Sequence, residues 1–186
     1  MPAGTASLKR RATGFTVVEL CVAMAVLGVV AVLATPSFEE FRLRERVKGA
    51  ANNLYADLQF ARSESVQRNA RVSLAFTTGT AWCYGIHEGN AACDCGVANS
   101  CNIKTVSSAD YPRVTMAPAS FVSASGTSNW YLIDPRVGQS IDAAGAAVNG
   151  TVQFGIGGRA LRGEVNAMGR VRLCAAADPI PGYPAC

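Results

Sequence analysis

Histidine and excess charge are both scarce in this sequence. One histidine, His87, occurs in 186 residues, and 17 basic against 13 acidic side chains give a formal charge of +4. Because His87 has no partner at a spacing typical of a ligand set or a catalytic pair, we expect neither an enzyme nor a cofactor. The run Lys9-Arg10-Arg11 supplies three of the positive charges, so the rest of the chain is nearly neutral. This excludes a globally basic nucleic-acid binder.

Polar residues are nearly absent from the 20 residues Phe15 to Ala34, where Thr16 and Glu19 are the only strongly polar side chains. A helix of that length spans about 30 Å, the thickness of the hydrocarbon core of a bilayer. The basic run before it predicts a cytoplasmic N-terminus and a head on the opposite side of the membrane. Residues 15–35 are therefore predicted to form a single transmembrane helix.

An ordinary secretory signal peptide is the alternative interpretation of this segment. The residues Val32-Leu33-Ala34 offer a possible cleavage site. The stretch is longer than the usual apolar region of a signal peptide, however, and Glu19 places a carboxylate in its second turn. A carboxylate at that depth is costly unless it has a partner, so Glu19 is a candidate functional residue.

The helical pattern continues beyond Pro36 and becomes amphipathic. Apolar or small residues recur at alternating spacings of four and three, as expected of one buried face of a helix: Val47, Ala51, Leu54, Leu58, Ala61 and Ser65. Charged side chains occupy the other faces. The sequence predicts one helix from about residue 16 to residue 69, with residues 36–70 as its amphipathic continuation.

After Asn69 the period of the hydrophobic pattern changes to two, which is typical of a half-buried strand over residues 71–76. Further strand-like runs, separated by clusters of Gly, Asn, Ser and Pro, cover residues 81–86, 113–116, 130–133, 151–154 and 170–174. The segment 155–160 is interpreted as a glycine-rich turn rather than a dinucleotide-binding loop. We predict an α+β fold, in which the long N-terminal helix packs on an antiparallel β-sheet within a head formed by residues 71–186.

Seven cysteines, six of them after position 80, indicate disulfides and an oxidising compartment. Four lie within 19 residues: Cys83, Cys93, Cys95 and Cys101. They could close a zinc site, but Cys93 and Cys95 lack the spacing of a zinc knuckle, so no metal site is predicted. A bridge between these two would be strained, so Cys83 and Cys101 are each expected to pair with one of them, in a connectivity left open. Cys174 and Cys186 are expected to pair with each other.

The N-terminal run Gly14-Phe15-Thr16-Val17-Val18-Glu19, followed by the apolar helix, resembles the class III signal sequence of type IV pilins and type II secretion pseudopilins. The resemblance implies that a prepilin peptidase cleaves after Gly14, that Phe15 becomes N-methylated and that residues 1–14 are a leader peptide. It also implies that the helix becomes the core of a filament built with other pilins. The protein would first lie in the inner membrane with a periplasmic head and then in an extracellular pilus.

Glu19 has a specific expected role in such a filament. Its carboxylate lies five residues into the mature chain and suits pairing with the N-terminal amine of a neighbouring subunit. Removing one partner would leave a buried charge unpaired, at a cost of several kcal/mol. Glu19 is therefore predicted to be an assembly residue, and the alternative is an acid that merely complements the helix dipole.

Three further segments are similar to the GspH/FimT family, namely residues 53–72, 169–174 and 182–186. The resemblance covers the helix and the last strand, while residues 77–150 match nothing that we can name. It implies three possible functions: a structural minor pilin that primes a type IV pilus, as FimU does; a DNA-binding minor pilin that serves natural transformation, as FimT does; or a minor pseudopilin of a type II secretion system, as GspH is.

The C-terminal segment concentrates basic side chains. Between residues 155 and 174 the arginines are Arg159, Arg162, Arg170 and Arg172, and the single acid is Glu164. Arg170 and Arg172 are two residues apart, so both lie on one face of a strand whose other face is apolar. Guanidinium groups suit phosphate geometry, and a Gly-Arg-x-Arg motif is implicated in DNA binding in the family that the chain resembles. The four arginines are candidates for sequence-independent binding of double-stranded DNA, and the alternative is an edge strand protected by charges.

Overall fold

The computed structural model describes residues 14–186, apart from the side chains of residues 33–37. The predicted leader therefore lies outside the described residues, except for Gly14. The chain divides into two compact units, Met1–Glu40 and Phe41–Cys186. The single long helix begins in the first unit, and every strand belongs to the second.

The helix α1 runs from Val17 to Arg68, within one residue of its predicted bounds at each end. Thr16 precedes the first turn, and its Oγ1 accepts the backbone N–H of Glu19 at 3.2 Å, which satisfies one of the free donors at the helix start. At the other end, Asn69 takes a left-handed conformation with φ of 50°, a common way to end a helix. Local sequence therefore sets both ends of α1.

The side chains of residues 15–32 are exposed along the first part of α1. Among the residues that the structure describes, no helix has both the length and the apolar character needed to cross a membrane. The span predicted over residues 15–35 is thus not identified in the structure.

One stripe of α1 carries the packing of the second unit. All six positions that the helical spacing marked are buried: Val47, Ala51, Leu54, Leu58, Ala61 and Ser65. Ser65 is tolerated there because its hydroxyl donates to the backbone oxygens of Ala70 at 2.8 Å and Ile133 at 3.2 Å. The spacing prediction for this face of the helix is confirmed.

Two antiparallel sheets follow α1, whereas the sequence predicted one. The strands are β1 (Val72–Thr77), β2 (Cys83–Glu88), β3 (Lys104–Ser107), β4 (Thr115–Met116), β5 (Ser120–Ser123), β6 (Gly126–Ser128), β7 (Trp130–Ile133), β8 (Ser140–Ile141), β9 (Asn149–Ile156), β10 (Arg159–Val165) and β11 (Val171–Ala175). The first sheet has the order β3-β2-β1-β7-β8, and the second has the order β11-β10-β9-β5-β6, with β4 also pairing with β9.

The strands that the sequence missed are those without clear hydrophobic alternation. They are β3, β5, β6, β8 and β10, which are short or rich in Ser, Gly and charged residues. The strand β10 is held by its two neighbours, because β9 and β11 pair with it along most of its length. The turn between β9 and β10 is Gly157-Gly158, and both residues have positive φ (54° and 83°), as a tight two-residue hairpin requires. The prediction of a glycine-rich turn is confirmed.

The strand β1 differs from its prediction, because it is buried on both faces rather than half-buried. Residues 72–76 are all buried. The face that was expected to meet solvent carries Ala75, which packs with Cys93 and Cys101, while Trp130 covers the same cluster. A disulfide-bonded loop thus replaces the solvent over this sheet.

Three disulfides cross-link the head. Cys83 is bonded to Cys95 and Cys93 to Cys101, and the last bridge joins Cys174 to Cys186. The C-terminal residues lie beside β11, where the N–H of Ala175 donates to the oxygen of Pro184 at 2.7 Å and the N–H of Cys186 donates to Ala175 at 3.2 Å. The third bridge therefore holds the C-terminal segment at one end of the free edge of β11. Cys21 is a free, exposed cysteine.

An aromatic cluster fills the space between α1 and the sheets. Its fully buried members include Phe76, Trp82, Tyr84, Phe121, Tyr131 and Phe154. The indole of Trp82 donates to the oxygen of Val114 at 2.8 Å, so its polar atom is satisfied inside the core. Burial raises the pKa of the Tyr131 hydroxyl above its ordinary value.

A buried polar network ties α1 to the first sheet, and the sequence pattern did not reveal it. Asp57 carries a charge, yet it lies on the packed side of the helix and is only 4% exposed. Its Oδ2 accepts the hydroxyl of Tyr84 at 2.8 Å, and its Oδ1 accepts the ammonium of Lys104 at 2.6 Å. Burial, followed by the charge of Asp57, raises the pKa of Tyr84. The carboxylate is stable in the core because both of its oxygens have donors.

We predict that Tyr84→Phe lowers the free energy of unfolding by about 1–3 kcal/mol, because it leaves Oδ2 of Asp57 buried without a donor. Chemical denaturation of the full chain in a neutral detergent measures the change. The control is Tyr55→Phe, which removes the hydroxyl of an exposed tyrosine on α1 and is expected to have little effect. Equal stability of the two variants would contradict the prediction.

A second prediction concerns Gly85, which lies on β2 beneath the Cys93–Cys101 bridge. A Cβ added there would collide with the sulfur atoms of both cysteines. Gly85→Ala is therefore expected to destabilise the protein by about 1–3 kcal/mol through overpacking. Gly155→Ala is the matched control in strand β9, since its nearest contact is an ordinary 3.4 Å to the oxygen of Arg159. Thermal unfolding under oxidising conditions tests this, and a Gly85→Ala melting temperature as high as that of Gly155→Ala would disprove it.

Candidate functional site

The solvent-facing side of the second sheet brings polar side chains of four strands together. In β9, Val152 and Phe154 are buried while Thr151 and Gln153 are partly exposed, so the strand alternates between core and solvent. Register places Ser120, Thr151, Glu164 and Arg172 in one row across β5, β9, β10 and β11. A neighbouring row pairs Gln153, Arg162 and Cys174. We call the solvent-facing side of this sheet the outer face.

A groove of about 720 Å³ lies on the outer face. Its lining comes from β5, β9 and β10 and from the start of β11, and it includes Asn149, Thr151, Glu164, Arg170 and Arg172. Hydroxyl, amide, carboxylate and guanidinium groups are present, and none of the lining residues is aromatic. The groove can therefore contact a polar or charged backbone through hydrogen bonds and charge, but it offers no ring for stacking a base.

Arg170 and Arg172 emerge on this face as their spacing predicts. Both are exposed, while Val171 and Leu173 between and beside them pack against the hydrophobic core. The turn before β11 is held by Asn166, whose Oδ1 accepts the N–H of Arg170 at 2.9 Å. Gly169 occupies that turn with φ of 72°, a conformation that favours glycine.

The arginines differ in their partners. Arg172 is engaged by Glu164, with 2.6 Å from Nη2 to Oε2 and 3.2 Å from Nε to the same oxygen. Arg162 donates to the amide oxygen of Gln153 at 3.2 and 3.4 Å, and so keeps its net charge. Among the described residues, no hydrogen-bond or ion-pair partner is present for the guanidinium of Arg170.

The structure does not place all four arginines at one site. Arg159 pairs with Ile156 at the β9–β10 hairpin, whereas Arg170 lies by the turn at the other end of β10. The length of β10 separates the two, which is about 20 Å at the usual rise per residue. Arg170 and Arg172 line the groove, Arg162 lies in the adjacent row and Arg159 lies outside it.

The cysteines of the head offer no thiolate for a metal. Cys83, Cys93, Cys95 and Cys101 form two disulfides, so the zinc alternative lacks its ligands. Within residues 14–186, a carboxylate oxygen of Glu164 and the sulfur atoms of Cys174 and Cys186 come within 4.8 Å of one another. Those two sulfurs are bonded to each other, so this grouping does not form a metal site either.

The N-terminal candidates lie at the start of α1. Gly14 and Phe15 precede the helix, Phe15 is 86% exposed, and a Cβ added at Gly14 would meet nothing within 4 Å. Glu19 is exposed in the first turn, where its backbone is capped by Thr16.

A long N-terminal helix packed on antiparallel sheets is the arrangement of a pilin-like protein. A family model described as the prokaryotic N-terminal methylation motif matches residues 9–35, and the model of type II transport protein GspH matches residues 50–180. The chain belongs to the GspH family.

The chain is also similar to a curated pilin protein over half of its length. This relative is the type IV major pilin protein PilA of Myxococcus xanthus (strain DK1622), which is 32% identical over 98 residues. The match covers 50% of this chain and 44% of PilA, so the chain spans less than half the length of that relative. No solved structure matches the chain.

Proposed function

We propose that the protein is a minor type IV pilin that a prepilin peptidase cleaves after Gly14 and that enters a pilus through α1. The observation that carries the proposal is the combination of an N-terminal methylation motif with a GspH head and similarity to a type IV pilin. In this proposal the protein is anchored in the inner membrane with its head in the periplasm, and it then moves into an extracellular filament. The three disulfides agree with an oxidising compartment for the head.

The chemistry of the first turn supports a role for Glu19 in assembly. Cleavage after Gly14 exposes a new amine on Phe15, and N-methylation leaves that amine charged. The side chains around Glu19 are mostly apolar, so packing of helices from several subunits would bury its carboxylate. A buried carboxylate needs a cationic partner, and the Phe15 amine of a neighbouring subunit is the nearest chemical match.

We predict that Glu19→Ala leaves cleavage and folding of the head intact but reduces recovery of the protein in sheared filaments at least tenfold. Intact mass of the membrane-extracted chain should show a start at methylated Phe15 in both forms. The control is Glu45→Ala, which removes an exposed carboxylate that pairs with Lys48 at 3.0 Å on the same helix. Normal recovery of Glu19→Ala, or a wild-type chain that starts at Thr35, would contradict the proposal.

A minor pseudopilin of a type II secretion system is the second candidate, because the matched family model describes a type II transport protein. The two candidates predict different losses in a deletion strain. A pilin gene is needed for surface pili or for DNA uptake, while a pseudopilin gene is needed for export of folded proteins. Loss of exported proteins with normal pili would replace the first candidate with the second.

The outer face supports a finer proposal, namely sequence-independent binding of double-stranded DNA in the manner of FimT. Arg170 has an open guanidinium, and Arg162 is held by a neutral amide, so both can meet phosphates. The lack of an aromatic side chain in the groove favours contacts with the backbone rather than with unstacked bases. The alternative is that these charges only protect the free edge of β11 from pairing.

We predict that Arg170→Gln weakens binding of the full chain, in a neutral detergent, to a fluorescently labelled 24-base-pair duplex at low salt. With about two phosphates neutralised, the wild-type slope of log K against log salt is expected near −1.8, and the variant is expected near −0.9. Fluorescence anisotropy over a salt series measures both.

The matched control is Arg136→Gln, which removes an exposed arginine in the loop between β7 and β8, outside the groove. It is expected to leave the slope unchanged. Absence of binding by the wild-type protein at low salt would refute the DNA proposal, and so would an equal loss in the two variants.

A further inference from the structure

The ion pair between Glu164 and Arg172 joins the edge strand β11 to its neighbour β10 on the outer face. The two residues face each other directly in the β10–β11 register. Both Nη2 and Nε of Arg172 contact the same oxygen, Oε2 of Glu164. Glu164 is the one acid among the groove-lining residues, all of which lie in the described part of the chain.

We propose that Glu164 is an electrostatic latch on the outer face, which holds Arg172 back from phosphate and thereby sets how tightly this face binds a polyanion. The inference rests on the proposed DNA binding. A carboxylate and a phosphate compete for the same fork of guanidinium donors, because both present paired oxygens at similar spacing. While Glu164 engages Nε and Nη2, Arg172 offers a phosphate only its remaining donors and less than its full charge.

The ion pair between Glu164 and Arg172 is partly exposed to solvent, so it is weak enough for a competing anion to break. The side chains of Arg172 and Glu164 are 62% and 29% exposed. Forming or breaking an exposed ion pair of this kind changes an equilibrium constant by about two- to fivefold. A dense row of phosphates can therefore displace the carboxylate, but binding is weaker than it would be with Arg172 free.

The neighbouring arginines show why the latch is specific to Arg172. Gln153 holds Arg162 through a neutral amide, which orients the guanidinium without cancelling its charge. Arg170 is held only through its backbone, by Asn166, among the contacts that the structure describes. In a Glu164→Gln variant a neutral amide would face Arg172, just as the amide of Gln153 faces Arg162.

The test is a double-mutant cycle on the full chain in a neutral detergent, with the labelled 24-base-pair duplex as the probe over a salt series. The variants are Glu164→Gln, Arg172→Gln and the double variant. Glu164→Gln is expected to tighten binding about two- to fivefold and to make the salt slope steeper by about 0.9, because one more phosphate is neutralised. In the Arg172→Gln background the same substitution is expected to give a clearly smaller gain, since no guanidinium is released.

The charge-matched control is Glu88→Gln on β2 in the first sheet, where Glu88 pairs with Arg68 at 2.8 Å. It changes the net charge equally and is expected to leave the slope unaltered. Thermal unfolding of each variant verifies that the fold is retained.

The outcomes separate this inference from the DNA proposal. If the wild-type protein binds and Arg170→Gln weakens it, but Glu164→Gln changes neither affinity nor slope, the latch is wrong and the DNA proposal stands. An equal gain from Glu164→Gln in both backgrounds also overturns the latch, because general repulsion then explains the effect. If no form binds the duplex, both proposals fail together.

Discussion

The head depends on the packing of one stripe of α1 against the two sheets. The stripe is built partly of alanine, at positions 50, 51 and 61, and its larger members Leu54 and Leu58 are buried in the core. Inside this contact, Asp57 joins Tyr84 of β2 and Lys104 of β3, which adds direction to an otherwise non-directional apolar interface. The aromatic cluster of the sheets packs against the same stripe.

Disulfide bonds hold segments against parts of the sheets for which the hydrophobic pattern of the sequence predicts no cover. The loop bearing Cys93 and Cys101 covers β1 and lies against Gly85, where a side chain would not fit. The bridge between Cys174 and Cys186 holds the C-terminal segment beside Ala175, so part of the free edge of β11 is paired within the chain. A head of modest size gains stability in this way, because each bridge restricts the unfolded chain. The remaining open edge of β11 carries Arg172, which pairs with Glu164 of the neighbouring strand.

The outer face carries positive charges, and an acidic side chain compensates part of them. Four arginines occur in the C-terminal segment, but the sheet distributes them: two line the groove, one lies in the next row and one lies at the distant hairpin. The acid among them pairs with one of the groove arginines. A count of charges in the sequence therefore overstates the net positive charge that this face presents. In the proposed filament, weak and salt-sensitive contacts from single subunits would add up over many subunits.

The sequence alone determined the elements whose signals are local. The ends of α1 follow from Thr16 and Asn69, its buried stripe follows from the spacing of small and apolar residues, and the β9–β10 turn follows from its glycines. The N-terminal motif and its Glu19 can also be recognised from the sequence, because the residues of the motif are contiguous in the chain. Only the tertiary structure decided the second sheet, the burial of both faces of β1, the connectivity of the four clustered cysteines and the partners of each arginine. These features depend on which strands become neighbours, and strand pairing joins residues far apart in sequence through backbone groups that are the same in every residue.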